Sequence, residues 1–203
     1  MTAGLSLAER APLYDFAAGL LVREVDEATW AAIGAEPLRT LLDKARPGFA
    51  AWREAAFDET MREALAEEFA RLFLVPGLVP PFASRWLVRT IGDDATREKT
   101  RGEIASLVAL ACEGLGLEAT HDGPGGRLPP DHAARLFAIA AEASRRPGAE
   151  DDPVLARFDE TLLGPGWGDM GDALTRHARV PLYAALGVLL RDLHAGETPD
   201  GAR

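Results

Sequence analysis

Four histidines and a single cysteine are the side chains in this sequence best suited to hold a metal or attack a substrate. A zinc site on helices needs two histidines three to five positions apart, and His121, His132, His177 and His194 never come that close. Cys112 stands on or beside the apolar stripe of Ile104, Leu107, Val108, Ala111 and Leu115, where a thiol packs as a small hydrophobe. The Gly-Pro-Gly-Gly at 123–126 lacks the Lys-Ser/Thr of a phosphate loop, and no Gly-x-Ser-x-Gly elbow is present. The pairs Asp93-Asp94 and Asp151-Asp152 adjoin helix starts, where negative charge complements the helix dipole without catalytic work. His177 follows Leu174 by three positions and reads as a structural imidazole. No constellation among these spacings argues for a metal site or for an enzyme, and an enzyme stays open as an alternative.

The elements that would position a binding surface are helical, because apolar residues recur at three and four and no segment alternates as a half-buried strand does. Leu13, Phe16 and Leu20 line a first helix reaching about Val25, opened by a Ser6/Glu9 capping box. Asp26 caps a short second helix through Trp30 and Ile33, and Pro37 suits the first turn of a third that carries Leu38, Leu41 and Leu42. Phe57, Met61, Leu65, Phe69 and Leu72 form the clearest stripe, ended by Pro76-Gly77 and a Pro-rich loop to Ser84. Beyond Gly114 and Gly116, the stretch 120–130 holds three Gly and three Pro and is expected to be a hinge or a boundary between helical halves. Asp131 and Asp152-Pro153 then open two helices, and Trp167 and Pro181 begin a last pair. The expected architecture is an all-α, single-domain bundle over 1–196, with a disordered tail at 197–203.

Composition narrows the partners. With 203 residues, 47% hydrophobic and 27% charged, the chain has the make-up of a globular domain with a core of its own. Its net charge of -10 opposes nucleic acid and anionic membranes and attracts basic partners. One cysteine forbids an intramolecular disulfide. Glu9, Arg10 and Asp15 interrupt the first 20 residues, unlike a secretory signal, and the apolar run Val180 to Leu190 is shorter than the roughly 20 residues of a membrane span. A cytoplasmic protein without membrane insertion is expected.

Two blocks carry a resemblance. Glu68-Phe69-Ala70-Arg71-Leu72-Phe73 runs into Leu74-Val75-Pro76-Gly77 and then Pro80-Pro81-Phe82-Ala83-Ser84, while Pro129-Pro130-Asp131-His132 stands at a later helix start. In order and spacing they resemble the TorD/DmsD/NarJ family of redox enzyme maturation chaperones, and Leu182-Tyr183 sits where that family's closing helix often has an aromatic. The chain departs from the family at Val75-Pro76-Gly77, where a direct Gly-Pro is usual, and after His132, where it reads Ala-Ala-Arg-Leu-Phe-Ala. What the resemblance implies is a non-enzymatic chaperone that binds the twin-arginine leader or the apo form of a molybdenum-cofactor oxidoreductase and proofreads its export. Asp131 would then meet a leader arginine, His132 would hydrogen-bond beside it, and Pro80, Phe82 and Trp86 would form an apolar wall. Pro81, Ser84, Arg71, Leu72 and Phe73 complete the implied peptide site.

The residues also admit plainer readings. Ser84 could cap a helix through Trp86 and Val88, Asp131 could be an N-cap, and Phe69, Leu72 and Phe73 could be core. A helical scaffold or regulatory protein that binds a partner helix is the alternative function. The stretch 120–130 would also permit exchange of helical halves, giving a domain-swapped homodimer.

Overall fold

The computed structural model describes residues 7–74, 76–87, 94–117, 122–123, 126–148, 151–164 and 166–195. They are predominantly helical: α1 (Leu7–Val22), α2 (Glu27–Ile33), α3 (Leu38–Ala45), α4 (Phe49–Arg53), α5 (Glu59–Phe73), α6 (Ala83–Leu87), α7 (Asp94–Leu115), α8 (Ala133–Arg145), α9 (Pro153–Phe158), α10 (Trp167–His177) and α11 (Pro181–Ala195). A π-turn at Asp159–Leu163 continues α9. The all-α expectation holds; among the described residues antiparallel pairing is confined to the two-residue strands Asp122–Gly123 and Gly126–Arg127 and one isolated bridge. Ser6, Val75, Val88 and the expected tail at 197–203 lie outside the described residues.

Local chemistry sets several of these boundaries. Asp26, Asp58 and Asp152 each accept a backbone N–H from the first turn of α2, α5 and α9, and Pro153 occupies the first turn of α9, where a missing N–H costs nothing. At the end of α7, Gly116 takes φ +64°, a left-handed conformation open to glycine.

The chain divides into two compact units. One takes in Arg23–Pro80 and the residues from Gly168 onward; the other takes in α1 and Pro81–Trp167. The stretch 120–130 marks none of the boundaries, and its described residues lie inside the second unit. Composition reports where helices stop, whereas unit boundaries follow which helices pack. Here α1 packs along α8, tying the first described helix to the middle of the chain. Ala11, Ala17 and Ala18 on α1 and Ala133, Ala134, Ala140 and Ala141 on α8 are buried, small enough for close approach, and Tyr14 stacks on Phe137 at 6.0 Å.

In the first unit, Leu65, Phe69, Leu72 and Phe73 of α5 and Leu182, Tyr183, Leu186, Leu189 and Leu190 of α11 supply the core. Phe73 meets Phe69 and Tyr183 edge-on at 5.4 and 5.5 Å. Burial of each such side chain contributes about 1.5–3 kcal/mol. Between α10 and α11 the backbones touch through glycines: a Cβ on Gly187 would lie 2.6 Å from the Gly171 carbonyl oxygen and 2.8 Å from Thr175 Oγ1. Gly187→Ala is therefore expected to cost about 1–3 kcal/mol by overpacking, despite the better helix propensity of alanine. Gly102→Ala in α7, where a Cβ meets nothing within 4 Å, should instead stabilise by about 0.5–1 kcal/mol. Urea unfolding of the two variants checks the contrast, and equal effects would show that the glycine contact is not tight.

Candidate functional site

Both blocks singled out in the sequence are held by hydrogen bonds within the chain. Among the described residues the buried polar or charged side chains are Glu68, Ser84, Asp131 and His132 of the two blocks, and Arg135 three positions beyond the second. A polar group out of water costs about 1–3 kcal/mol unless it is bonded, so each needs a partner.

In the first unit, Glu68 and Arg71 stand one turn apart on α5. Arg71 Nε donates to Glu68 Oε2 at 2.8 Å and Nη2 to Oε1 at 2.7 Å, a bidentate pair. Each partner also reaches the connection between α10 and α11. Arg71 Nη2 donates to the His177 carbonyl at 2.5 Å, and Glu68 Oε1 accepts the Arg179 N–H at 2.5 Å and the Val180 N–H at 3.4 Å. The pair thus fastens the carboxyl end of α5 to a segment more than 100 residues away. Leu72 and Phe73 are buried beside it, and Pro80 is half-buried. Arg71, Leu72 and Phe73, expected to line a peptide site, are structural: the guanidinium is occupied and the two apolar side chains are core.

The second unit joins its two motif segments directly. Phe82 and His132 form an antiparallel bridge, in which the Ala83 N–H donates to the Asp131 carbonyl at 2.7 Å and the Ala133 N–H to the Pro81 carbonyl at 2.8 Å. Ser84 Oγ donates to Asp131 Oδ2 at 2.5 Å across 47 residues of sequence, and Arg101 Nε approaches the same oxygen at 3.3 Å. The Phe82 ring stands edge-on to His132 at 5.5 Å.

Several expected roles change accordingly. Asp131 does not cap α8; His132 does, its Nδ1 accepting the Ala134 N–H at 3.2 Å. Such an acceptor is the unprotonated nitrogen of the ring. Ser84 lies within α6 and does not cap it, because its hydroxyl is turned to Asp131. Asp131 is 3% exposed, and its Oδ2 already takes the Ser84 hydroxyl and the approach of Arg101. Trp86 is 7% exposed, with Gly166, at φ +88°, set close against its backbone, so it offers little wall to a ligand. Pro81 is buried, and Phe82 keeps partial exposure.

Sequence reasoning missed Glu68, although the Glu68/Arg71 spacing of three on a helix signals an ion pair. It also missed Arg101. Cys112 is buried, as expected of a packing thiol. Among the described residues no three His, Cys, Asp or Glu side chains gather as metal ligands, and no helix is long and apolar enough to cross a membrane. No family model matches the chain, and no curated protein matches it.

Burial pushes the Glu68 carboxyl up, but hydrogen bonds from Arg71 and the Arg179 N–H, the Arg71 charge and the Val180 N–H outweigh it and hold the group below its ordinary value near 4.5. A depressed folded-state pKa gives stability that is present above the unfolded value and lost as pH falls through the folded one. Glu68→Gln should cost about 3 kcal/mol at pH 7, since it strands a partly buried guanidinium, and should flatten the loss of stability below pH about 4.5. Urea unfolding of parent and variant from pH 7 to 3 measures both effects, and parallel curves would remove Glu68 from this role.

At the other lock, Asp131→Ala should cost about 3 kcal/mol and Asp131→Asn about 1 kcal/mol, because the amide oxygen still accepts from Ser84. The Arg101 pair adds little, its guanidinium being 59% exposed. A loss under about 0.5 kcal/mol for Asp131→Ala would show that the Ser84 bond holds nothing together.

Proposed function

We propose that this chain is a non-enzymatic chaperone of the TorD/DmsD/NarJ type, acting in the cytoplasm on a molybdenum-cofactor oxidoreductase. It would bind the enzyme's twin-arginine leader, its apo form, or both, and hold export back until cofactor is inserted. The observation that supports this reading is where the polar core lies. Four of the five buried polar side chains described, Glu68, Ser84, Asp131 and His132, fall in the sequence blocks that resemble the family. Buried polar groups favour one arrangement over its competitors when every member is bonded, which gives two short motifs a reason to occur together.

The chemistry of a leader suits such a protein. Two adjacent arginines followed by an apolar segment call for carboxylates beside an apolar surface, and a net charge of -10 draws the cationic end in. Exchange of helices through 120–130 would add homodimers to the monomer.

A second reading, a helical scaffold that binds a partner helix, draws on the same locks, since Arg71 and Asp131 are bonded inside the chain rather than offered to a ligand. Copurification separates the two, because a chaperone retains an apo-molybdoenzyme and a scaffold does not. Calorimetric titration of the full chain with a twin-arginine leader peptide should give binding that weakens as salt rises. Absence of both the client and peptide binding would overturn the chaperone reading.

A further inference from the structure

The exposed side of α5 presents carboxylates at one end and leucines at the other. Glu59, Glu63, Glu67, Ala70 and Leu74 follow one another at intervals of four, four, three and four, the spacing of a single helical face, and all are exposed. Arg62 is hydrogen-bonded to Glu59 and Arg71 to Glu68; Glu63 and Glu67 feel the charge of those arginines, but among the described residues neither forms an ion pair or hydrogen bond with them. At the carboxyl end, Leu74 is 51% exposed and Leu78 is 48% exposed.

Those leucines are held in place rather than frayed. The Leu74 N–H donates to the Ala70 carbonyl, the Leu78 N–H to Arg71 and the Val79 N–H to Leu72, closing the helix end. Gly77 fits there because a Cβ would lie 2.5 Å from the Leu72 carbonyl oxygen and 2.7 Å from that of Leu74. One exposed leucine is ordinary, but two displayed near one helix end, where backbone hydrogen bonds tie Leu74, Leu78 and Val79 to α5, offer apolar surface.

We infer that this face of α5 is a docking strip for an extended peptide segment that carries a basic pair followed or preceded by an apolar stretch. The inference rests on the chaperone reading and supplies it with a surface. Charge decides the occupant. The carboxylates would repel an anionic membrane, a nucleic acid or the same face of a second copy, and attract arginine or lysine. Spacing sets the register. Leu74 lies roughly 10 Å along the helix from Glu67 and roughly 16 Å from Glu63 at 1.5 Å per residue. An extended peptide covers that span in about 3–5 residues, so the basic pair and the first apolar residue should stand that far apart.

The test uses the full chain and a fluorescent synthetic peptide with two arginines four residues ahead of an apolar run, followed by anisotropy at low and moderate salt. Glu63→Gln with Glu67→Gln should weaken binding about three- to tenfold at low salt and flatten its salt dependence. Leu74→Ser with Leu78→Ser should weaken it about tenfold while leaving the salt dependence in place. All four side chains are on the surface, and circular dichroism confirms that each variant folds. If the parent binds and both double variants bind equally well, the α5 strip is overturned while the chaperone reading stands. If the parent binds no basic-apolar peptide and retains no client, both fall. If Leu74→Ser with Leu78→Ser abolishes self-association seen by light scattering and leaves peptide binding intact, the patch belongs to a second copy and the inference is overturned.

Discussion

A carboxylate removed from water must be surrounded by donors, and this requirement governs how both motif blocks fold. Glu68 is 3% exposed and is tolerated because a guanidinium and two backbone N–H groups converge on it. Those donors come from α5 itself and from the connection before α11, so satisfying the charge fixes where α11 begins. Losing either partner would leave the other stranded, a larger penalty than the net worth of the pair. Asp131 solves the same problem with different donors: a serine hydroxyl from α6 and an arginine from α7. In both cases the polar residue joins segments that lie far apart in sequence.

This division of labour explains what the sequence could and could not reveal. Helices ending at Gly or Pro and beginning at Asp26 or Asp152 were legible, since each signal acts within one turn. The all-α class and the apolar core of α5 and α11 were legible from period alone. Asp131 was not, because aspartate before a helix has the same local signature whether it caps that helix or turns back to Ser84. The one-residue shift that makes His132 the cap depends on the bridge to Phe82, which no local pattern encodes. Arg71 entered the expected peptide site because the resemblance implied it, and its partner three positions earlier was overlooked. The unit boundaries at 22/23, 80/81 and 167/168 were illegible for a related reason: they follow the packing of α1 along α8.

Not every buried polar group is matched. The Tyr183 hydroxyl is fully enclosed without a hydrogen-bond partner, and burial, then the charges of Glu68 and Glu24, push its ionisation well above the ordinary range. It stays a neutral phenol whose value lies in its ring against Phe73. Asp159 is shifted the other way from Glu68: burial raises its carboxyl, and only the Arg10 charge opposes that. A raised carboxyl works against the folded state at neutral pH and is relieved on acidification. Acid therefore loosens the first unit at Glu68 while easing a strain in the second, so unfolding curves should be interpreted unit by unit.

If the charged motif residues are spent on holding the fold, recognition has to come from what remains outside. Binding a flexible, cationic segment needs little more than fixed carboxylates and a fixed apolar patch, because the ligand brings its own adaptability. The receptor must then be stiff. The Glu68–Arg71 lock supplies stiffness to α5 from its inner side, and the bonded turn through Gly77 supplies it at the end of the helix. The same helix thus has an inner face that is core, a lock at its edge, and an outer face that carries acid and leucine in succession. On this view the first block works as the scaffold of a recognition surface rather than as the surface itself. Its burial then follows from one requirement, that the exposed strip keep a constant geometry.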